Sequence, residues 1–411
     1  MSSSKIFVLK NFLYKTKRKC LRFLSWIPYK GLKKYDLIIY DDIYPHPISG
    51  FRLEEFTVLL EEFLNSKIIV NPLAYPHLKT PIEQHKTDIE ALTALKNSLS
   101  GKIKSIGRFT NINTKLFYCI FLNNIWANLN WLEKSKIPFS FTLYPGGGFM
   151  INDKETDEKM RKVFSSPQFK NVFVTQKFTR DYLISKNLCS EDKIQFIFGC
   201  VVPQISMNKD LSAKKNFRVN KETLDICFCA AKYTATGEDK GYDIFIGMAH
   251  KLSESCDFVR FHVVGGFSKE DIDVSKLGTK IKFYGYQKFE NLSEIYSEMD
   301  FIVSANRPFV LDKGVFDGFP LGTVVEAALN GVTILVSDAL NQNTMFVDNE
   351  DVIIVENNVE SVTRAIENLI HNPHKIKDLG LKGKEKFLKV YSNEIQLEPR
   401  IATLKKYLKN A

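Results

Sequence analysis

Residues 224–241 read LDICFCAAKYTATGEDKG. The apolar run LDICFCAA has the length and composition of a buried strand. Lys232 follows it, and the flexible stretch YTATGED leads on to Lys240, Gly241 and a helical pattern over 242–253. Strand, loop and helix in this order open a Rossmann-like unit, which binds ligands outside the carboxyl ends of its strands. Cys227 and Cys229, two apart, share one face of that strand and read as core.

The alternation continues toward the C-terminus with RFHVVGG, KIKFYG, a short helix at NLSEIYSEM, FIVSA, a helix over 323–330, VTILVS and VIIV. Toward the N-terminus lie candidate strands at 36–40, 67–71, 102–106, 139–143, 172–175 and 194–198. Helical stretches such as FRLEEFTVLLEEFL and FTRDYLIS fall between most of them, and the uncharged stretch 116–132, LFYCIFLNNIWANLNWL, reads as one buried helix. The polar, basic segment 204–222 interrupts the pattern and reads as an interdomain linker. The fold class is therefore α/β, with two doubly wound, Rossmann-like domains. The boundaries read as an arm over 1–34, a first domain over 35–210, a second over 211–390, and a C-terminal helix over 391–411 that packs back on the first domain.

With 411 residues, 44% hydrophobic and 25% charged, the chain has material for two substantial cores. Its net charge of +10 has one source. Ten basic and no acidic residues lie in 1–34, which leaves 47 basic against 47 acidic in the rest. A balanced body excludes a nucleic-acid partner that needs a basic surface. Over 5–27 there is no Pro or Gly, and Pro28 ends any helix. Ile6, Leu9, Phe12, Leu13, Cys20, Phe23, Leu24 and Ile27 fall on one side of it, with Lys10, Lys15, Lys17, Arg18, Lys19 and Arg22 opposite. Such a helix either lies on an anionic membrane surface or docks its apolar stripe on the protein. The seven cysteines are scattered with no CxxC pair, which points to a reducing, cytoplasmic compartment and to neither a disulfide framework nor a zinc site. No run has the roughly 18 apolar residues of a membrane span, and the N-terminus does not read as a signal peptide.

The chemistry belongs at the strand ends. Lys232 and Lys240 flank one strand-to-helix loop, and two ammonium groups there neutralise a diphosphate, aided by the helix N-terminus. Alone they would read equally as solvated surface lysines. They are joined by Gly265 and Gly266, which allow a ligand near the backbone, by Gly285 and Tyr286, and by the long loop NRPFVLDKGVFDGFPLGT that feeds a helix bearing Glu326. In the first half, FTLYPGGGF ends a strand at Gly146, Gly147 and Gly148. That loop is either a set of backbone N–H groups facing a phosphate or sugar, or a mobile turn. His46 either hydrogen-bonds a sugar or is a loop residue. Arg52 either grips an acceptor phosphate or pairs with Glu55 or Glu62, while Ser49 caps the helix.

The series AAK, EDKGYD, VVGG, FYGY and DGFPLGTVVEAALNG resembles the nucleotide-sugar domain of retaining glycosyltransferases of family 4, which have the GT-B fold, over about 225–372. VFVTQKFTRDYLI resembles the strand and helix that close the first half. The resemblance implies that Lys232 and Lys240 bind the donor diphosphate, that Glu326 binds the ribose hydroxyls, and that Asp317 contacts the donor near the transferred sugar. Gly265, Gly266, Tyr286, Gly322 and Thr323 complete the donor set. The family encloses seven residues between its two acidic positions, but Asp317 and Glu326 enclose eight, and the seven-residue spacing falls on Gly318. Either Asp317 serves through a longer loop or it is a turn residue. The resemblance further implies retention of anomeric configuration. No metal or other cofactor is implied, since no DxD clearly sits at a strand end, DID at 271–273 lying in a polar segment.

The expected activity is transfer of a sugar from a nucleotide-sugar donor to a saccharide acceptor, lipid-linked, in cell-surface polysaccharide synthesis at the cytoplasmic membrane's inner face. Two rival readings share the fold: a nonenzymatic nucleotide-binding or membrane scaffold, and an inverting transferase or sugar-phosphate epimerase, which needs a general base in the first domain.

Overall fold

A computed structural model of the chain describes residues 28–78, 80–107 and 109–409. The expected amphipathic helix over 5–27 lies outside the described residues. Two parallel sheets organise the rest. The first contains β1 (Tyr35–Asp41), β2 (Ser66–Val70), β3 (Ile103–Ser105), β4 (Thr114–Ile120), β5 (Phe139–Leu143), β6 (Phe169–Val174) and β7 (Ile194–Phe196), in the order β3-β2-β1-β4-β5-β6-β7. The second contains β8 (Leu224–Ala230), β9 (Val259–Gly265), β10 (Ile281–Gly285), β11 (Phe301–Ser304), β12 (Thr333–Val336) and β13 (Ile353–Ile354), in the order β10-β9-β8-β11-β12-β13. In each sheet the order reverses beside its first strand, between β1 and β4 and between β8 and β11. Those are the topological switch points where such sheets open a crevice for ligands.

By internal contacts the chain forms two compact units. One holds the described residues through Thr142, with Lys162–Val172 and the last helix from Arg400; the other holds Leu143–Arg161 and Phe173–Pro399. The boundary expected at 210/211 falls inside the second unit. Segment 204–222 is not a free linker. Ser206 and Phe217 are buried, and the buried ammonium of Lys214 donates to the carbonyls of Tyr296, Met299 and Lys215, closing off the helix Phe289–Ser297. Lys214 thus serves as a local backbone cap.

The second sheet is buried on both faces, which is why its strands read as unbroken apolar runs. Phe228 packs with Tyr242, Phe245 and Met248 of helix Tyr242–Ser255 on one face. Cys227 and Cys229 face Val324, Val325 and Ala328 of helix Gly322–Leu329 on the other. The described cysteines are free thiols, and burial pushes those of Cys227 and Cys229 up.

The stretch 116–132 is not one helix. Its first part is β4, Phe121 then takes φ 71°, and the helix runs Leu122–Lys134. β4 lies between β1 and β5 with both faces covered, so it shows no alternation that would mark it as a strand. Within the helix, Asn128 donates to the Asn124 carbonyl (2.7 Å) and accepts from Trp131 Nε1 (3.0 Å), which satisfies a buried amide. In the first unit the last helix, Glu398–Lys409, has Lys405 paired with Glu62 and Tyr407 donating to the Lys170 carbonyl (3.5 Å). Among the described residues no helix is long and apolar enough to cross a membrane.

Candidate active site

The loop after β8 is held by the loop after β11. Arg307 donates from its backbone N–H to the Asp239 carbonyl (3.0 Å), from Nε to the Glu238 carbonyl (2.9 Å), and from Nη2 to both carboxylate oxygens of Asp243 (2.6 Å). Gly241 has φ 73° and lies so near the Ala305 carbonyl that a Cβ there would be 2.2 Å from its oxygen. Thr234 Oγ1 donates to Asp239 Oδ1 (2.7 Å). This bracing aims Lys240, only 5% exposed, at the loop that follows β11. Its Nζ is 2.5 Å from Asp317 Oδ2, 3.9 Å from Asp239 Oδ2 and 5.1 Å from the Tyr233 ring centre.

Lys232 faces a different carboxylate. Its Nζ lies 2.5 Å from Asp271 Oδ1, and the backbone N–H of Ser268 donates to Asp271 Oδ2 (2.9 Å). Burial pushes Asp271 up, but the hydrogen bonds from Lys232 and Ser268 outweigh it and hold the carboxyl below its usual range. The first aspartate of DID is thus a lysine partner. The two lysines each have their own counter-ion and do not meet on a common side chain.

The motif DGFP is pinned on its own unit. Phe319 N–H donates to Gln176 Oε1 (3.1 Å), Gln176 Nε2 donates back to the Phe319 carbonyl (3.4 Å), and Phe316 packs edge-on against Phe149 and Phe178. Gln342 Nε2 donates to the Asp317 carbonyl (3.1 Å). The Asp317 backbone is thus fixed, and its carboxylate meets Lys240.

Glu326 lies on the helix Gly322–Leu329 and accepts from Ser206 Oγ (3.1 Å). Burial pushes its carboxyl up to about 7, with the Ser206 hydrogen bond and Lys209 opposing. Thr323 spends its hydroxyl on the Cys229 carbonyl (2.8 Å), tying this helix to the end of β8, whereas Gly322 has open space where a Cβ would be. Gly265 takes φ 125°, and a Cβ there would meet the Ala230 carbonyl oxygen at 1.9 Å. What it admits is the neighbouring backbone. A Cβ on Gly266 would meet the Tyr286 hydroxyl at 2.7 Å, and the Tyr286 ring, 67% exposed, offers a stacking face.

Gly146, Gly147 and Gly148 all take positive φ (82°, 56° and 89°), a backbone course that requires glycine. Phe149 N–H closes the turn on the Gly146 carbonyl (3.0 Å), and Ile151 N–H donates to the Gly314 carbonyl (3.0 Å). The loop thus closes on itself and, just after Phe149, is tied in the second unit to the loop that carries Asp317.

In the first unit, Arg52 pairs with neither Glu55 nor Glu62. Its Nη1 lies 2.6 Å from Asp42 Oδ1 and 3.3 Å from Asp41 Oδ1, and its guanidinium stands 4.7 Å from the Phe121 ring centre. Asp41 ends β1 fully buried. Burial lifts it to about 6 against the opposing pull of Arg52 and the N–H groups of Ile43 and Tyr44. Glu55, buried, accepts from the Tyr118 hydroxyl, while Ser49 makes no side-chain cap. His46 accepts the Ile48 N–H on Nδ1 (3.1 Å) and is bonded to Thr80 Oγ1 through Nε2 (3.2 Å), which fixes a neutral tautomer and makes it a loop brace. Arg307, Asp271, Ser206 and Gln342 carry site geometry that the sequence reading did not assign. Arg307 alone had a signal, its place just past β11.

Residues 225–372 match the family model for glycosyl transferases group 1. The two parallel sheets of reversed order are those of the GT-B fold, and the second sheet lies largely in the region that matches this model. The same fold is seen in a glycosyltransferase from Rickettsia africae (TM-score 0.64, 16% identity, 92% of this chain and 100% of that one). Also similar are a sucrose-phosphate synthase from Thermosynechococcus elongatus (0.60, 13%, 91% and 99%) and Anabaena HepE, solved in complex with UDP-glucose (0.54, 13%, 91% and 100%). At these identities the likeness is one of fold. No curated protein matches the sequence.

Proposed function

We propose that this protein is a glycosyltransferase that moves a sugar from a nucleotide-sugar donor to a saccharide acceptor, with Lys240 as the cation that meets the donor diphosphate. The observation that carries this is the buried Lys240 ammonium, braced at a switch point within the matched domain and directed at Asp317 of DGFP. Lys232, from the same loop, adds positive charge on the Asp271 side. As the bond between the sugar's C1 and the phosphate oxygen breaks, its electron pair goes to that oxygen. Fixed ammonium groups act most strongly at the moment this charge develops. Glu326, ionised above about pH 7, accepts hydrogen bonds from the ribose hydroxyls, and Tyr286 supplies a ring for stacking.

The transfer retains configuration. The acceptor hydroxyl adds to C1 on the face the diphosphate leaves, and its proton goes to the departing phosphate oxygen. Lysine cations take the charge-neutralising role, so the reaction runs without a divalent metal. The arrangement of ten basic residues in 1–34 supports a peripheral site on the inner face of the cytoplasmic membrane and a lipid-linked acceptor in surface-polysaccharide synthesis. Gly146, Gly147 and Gly148 serve the acceptor side, with Arg52 a second candidate there.

The test is a panel of nucleotide-sugars, beginning with UDP-glucose, scored for binding and for slow acceptor-free release of nucleoside diphosphate with and without chelator. Binding and chelator-insensitive release of one donor are expected. A protein that binds none of the panel is not this enzyme.

A further inference from the structure

We propose that the first unit carries a membrane-docking surface at the outer edge of its sheet, where Lys33, Lys67 and Lys104, with the exposed side chains of Leu32 and Leu64, meet an anionic bilayer. This deepens the membrane reading above and rests on it. It adds a second contact, built by the folded body and separate from residues 1–27.

The three lysines come from three segments. Lys33 precedes β1, Lys67 lies on β2, and Lys104 lies on the edge strand β3. Tyr35 opens β1, and its ring centre is 5.0 Å from Lys33 Nζ and 5.5 Å from Lys67 Nζ. The electron-rich ring attracts both ammonium groups at these distances. Burial pulls the Lys67 pKa down, and the like charges of Lys104 and Lys33 pull it down further, so the three cations stand close enough to repel one another. Among the described residues none of the three pairs with an acidic side chain.

The carboxylates around them are already occupied. Asp36 pairs with Lys115 (2.8 Å), Glu61 with Lys96 (2.9 Å) and Glu62 with Lys405. Like charges gathered without counter-ions raise the free energy of the folded surface, and anionic headgroups lower it.

The apolar part of the surface is presented by a fixed segment. Pro28–Tyr29 pairs with Thr110–Asn111, and Gly31 N–H donates to Asn111 Oδ1 (2.8 Å). The side-chain amides of Asn111 and Asn113 donate to the carbonyls of Lys33 and Gly31 (2.8 Å each). With its flanking residues so held, Leu32 is fully exposed. Asn65 brings in the second leucine. Its Nδ2 donates to the Lys34 carbonyl (3.2 Å) and its own carbonyl accepts from Asp36 N–H (2.9 Å), which sets Leu64, 85% exposed, beside the same segment.

This mixture identifies the occupant. A soluble phosphate uses the lysines and leaves the leucines in water. A bilayer interface takes both, with ammonium groups at the phosphates and leucine side chains at the acyl boundary. Continuity points the same way, because the basic stretch 1–27 enters this surface at Pro28. The cations of that arm are repelled by the same lysines and do not cover them. One weak membrane signal gives only marginal, reversible attachment, and stable attachment takes two. The arm and this surface are the two.

The experiment is co-sedimentation of the full chain with vesicles of mixed phosphatidylcholine and phosphatidylglycerol, and with vesicles of phosphatidylcholine alone. Wild type is compared with the triple variant Lys33→Gln/Lys67→Gln/Lys104→Gln and with Leu32→Asp/Leu64→Asp. At about fivefold per lysine, the triple variant is expected to bind the anionic vesicles roughly ten- to a hundredfold more weakly and with a shallower salt dependence. The leucine variant should lose about tenfold. Both should bind nucleoside diphosphate as wild type does. An unchanged triple variant overturns the proposal and leaves the arm as the sole anchor. An unchanged leucine variant overturns it as well, since the contact is then ionic only. So does wild-type binding that is as tight to phosphatidylcholine alone. Lys67 is half-buried, so if thermal unfolding shows the triple variant unfolded, Lys33→Gln/Lys104→Gln, at two exposed positions, replaces it. Wild type that sediments with neither kind of vesicle is a different result, and it removes the membrane reading itself.

Discussion

The ammonium of Lys240 lies 2.5 Å from Asp317 Oδ2, joining the loop after β8 to the loop after β11 across 77 residues of sequence. A cation assigned to a diphosphate thus already has a carboxylate against it. The two anions compete for one ammonium. Asp317→Asn is expected to tighten binding of UDP, or of whichever nucleoside diphosphate binds, by a few-fold to about tenfold, because a neutral amide neither holds Lys240 nor repels the phosphates. Sugar transfer by the same variant should fall sharply. Calorimetric titration against a transfer assay separates the two effects, and unchanged or weaker diphosphate binding is the opposing outcome.

Glu326 gives donor binding a pH dependence. With its carboxyl pushed up to about 7, the ionised form that accepts ribose hydroxyls is lost on acidification, so nucleotide affinity should fall between pH 8 and pH 6. The stability effect has the opposite sign. A folded-state pKa above the ordinary 4.5 favours the folded protein at low pH, and that contribution is lost as pH rises through about 7. The shift corresponds to an effect on the order of 3 kcal/mol. Glu326→Gln should bind nucleotide weakly at every pH and be more stable than wild type at pH 8, as measured by titration and thermal unfolding across the range.

In the first unit, His85 is 2% exposed, with Nε2 3.0 Å from the Tyr44 carbonyl and Nδ1 3.1 Å from Ser105 Oγ. Burial lowers its pKa from 6.5, against the raising effects of the Tyr44 carbonyl and Asp88. The folded protein therefore binds this proton less readily than the unfolded chain does. Stability should decline as pH drops below about 6.5, and a non-titrating His85→Gln variant should show a flatter profile between pH 5 and 7. Parallel profiles for the two proteins would count against it.

The basic arm carries the membrane part of the account. Removing residues 1–27 should abolish sedimentation with vesicles containing phosphatidylglycerol while leaving nucleotide binding intact, at about 1 kcal/mol of attraction per well-placed lysine or arginine. Equal sedimentation of the full and shortened chains would assign the arm's apolar stripe to the protein instead.

The switch-point loops were legible because a strand, a short polar loop and a helix follow one another within 224–255, where local pattern and tertiary role coincide. β4 was not, since a central strand covered on both faces has the same apolar density as a buried helix and only the positive φ at Phe121 divides them. Arg52 shows the limit for ion pairs. Helical spacing suggested Glu55, but β1 delivers Asp41 and Asp42 to the guanidinium, and Glu55 is turned to Tyr118. Gln342 had no local signal, because its place in the site depends on the carbonyl of Asp317 that it holds, 25 residues earlier in the chain.

The most direct test is calorimetric titration of the preferred nucleoside diphosphate into wild type and Lys240→Ala, with thermal unfolding to show that both are folded. Loss of a charge-assisted contact should weaken Kd by about ten- to a hundredfold. Equal affinity in the two proteins would contradict the assignment of Lys240 to the donor phosphates, and with it the proposed mechanism.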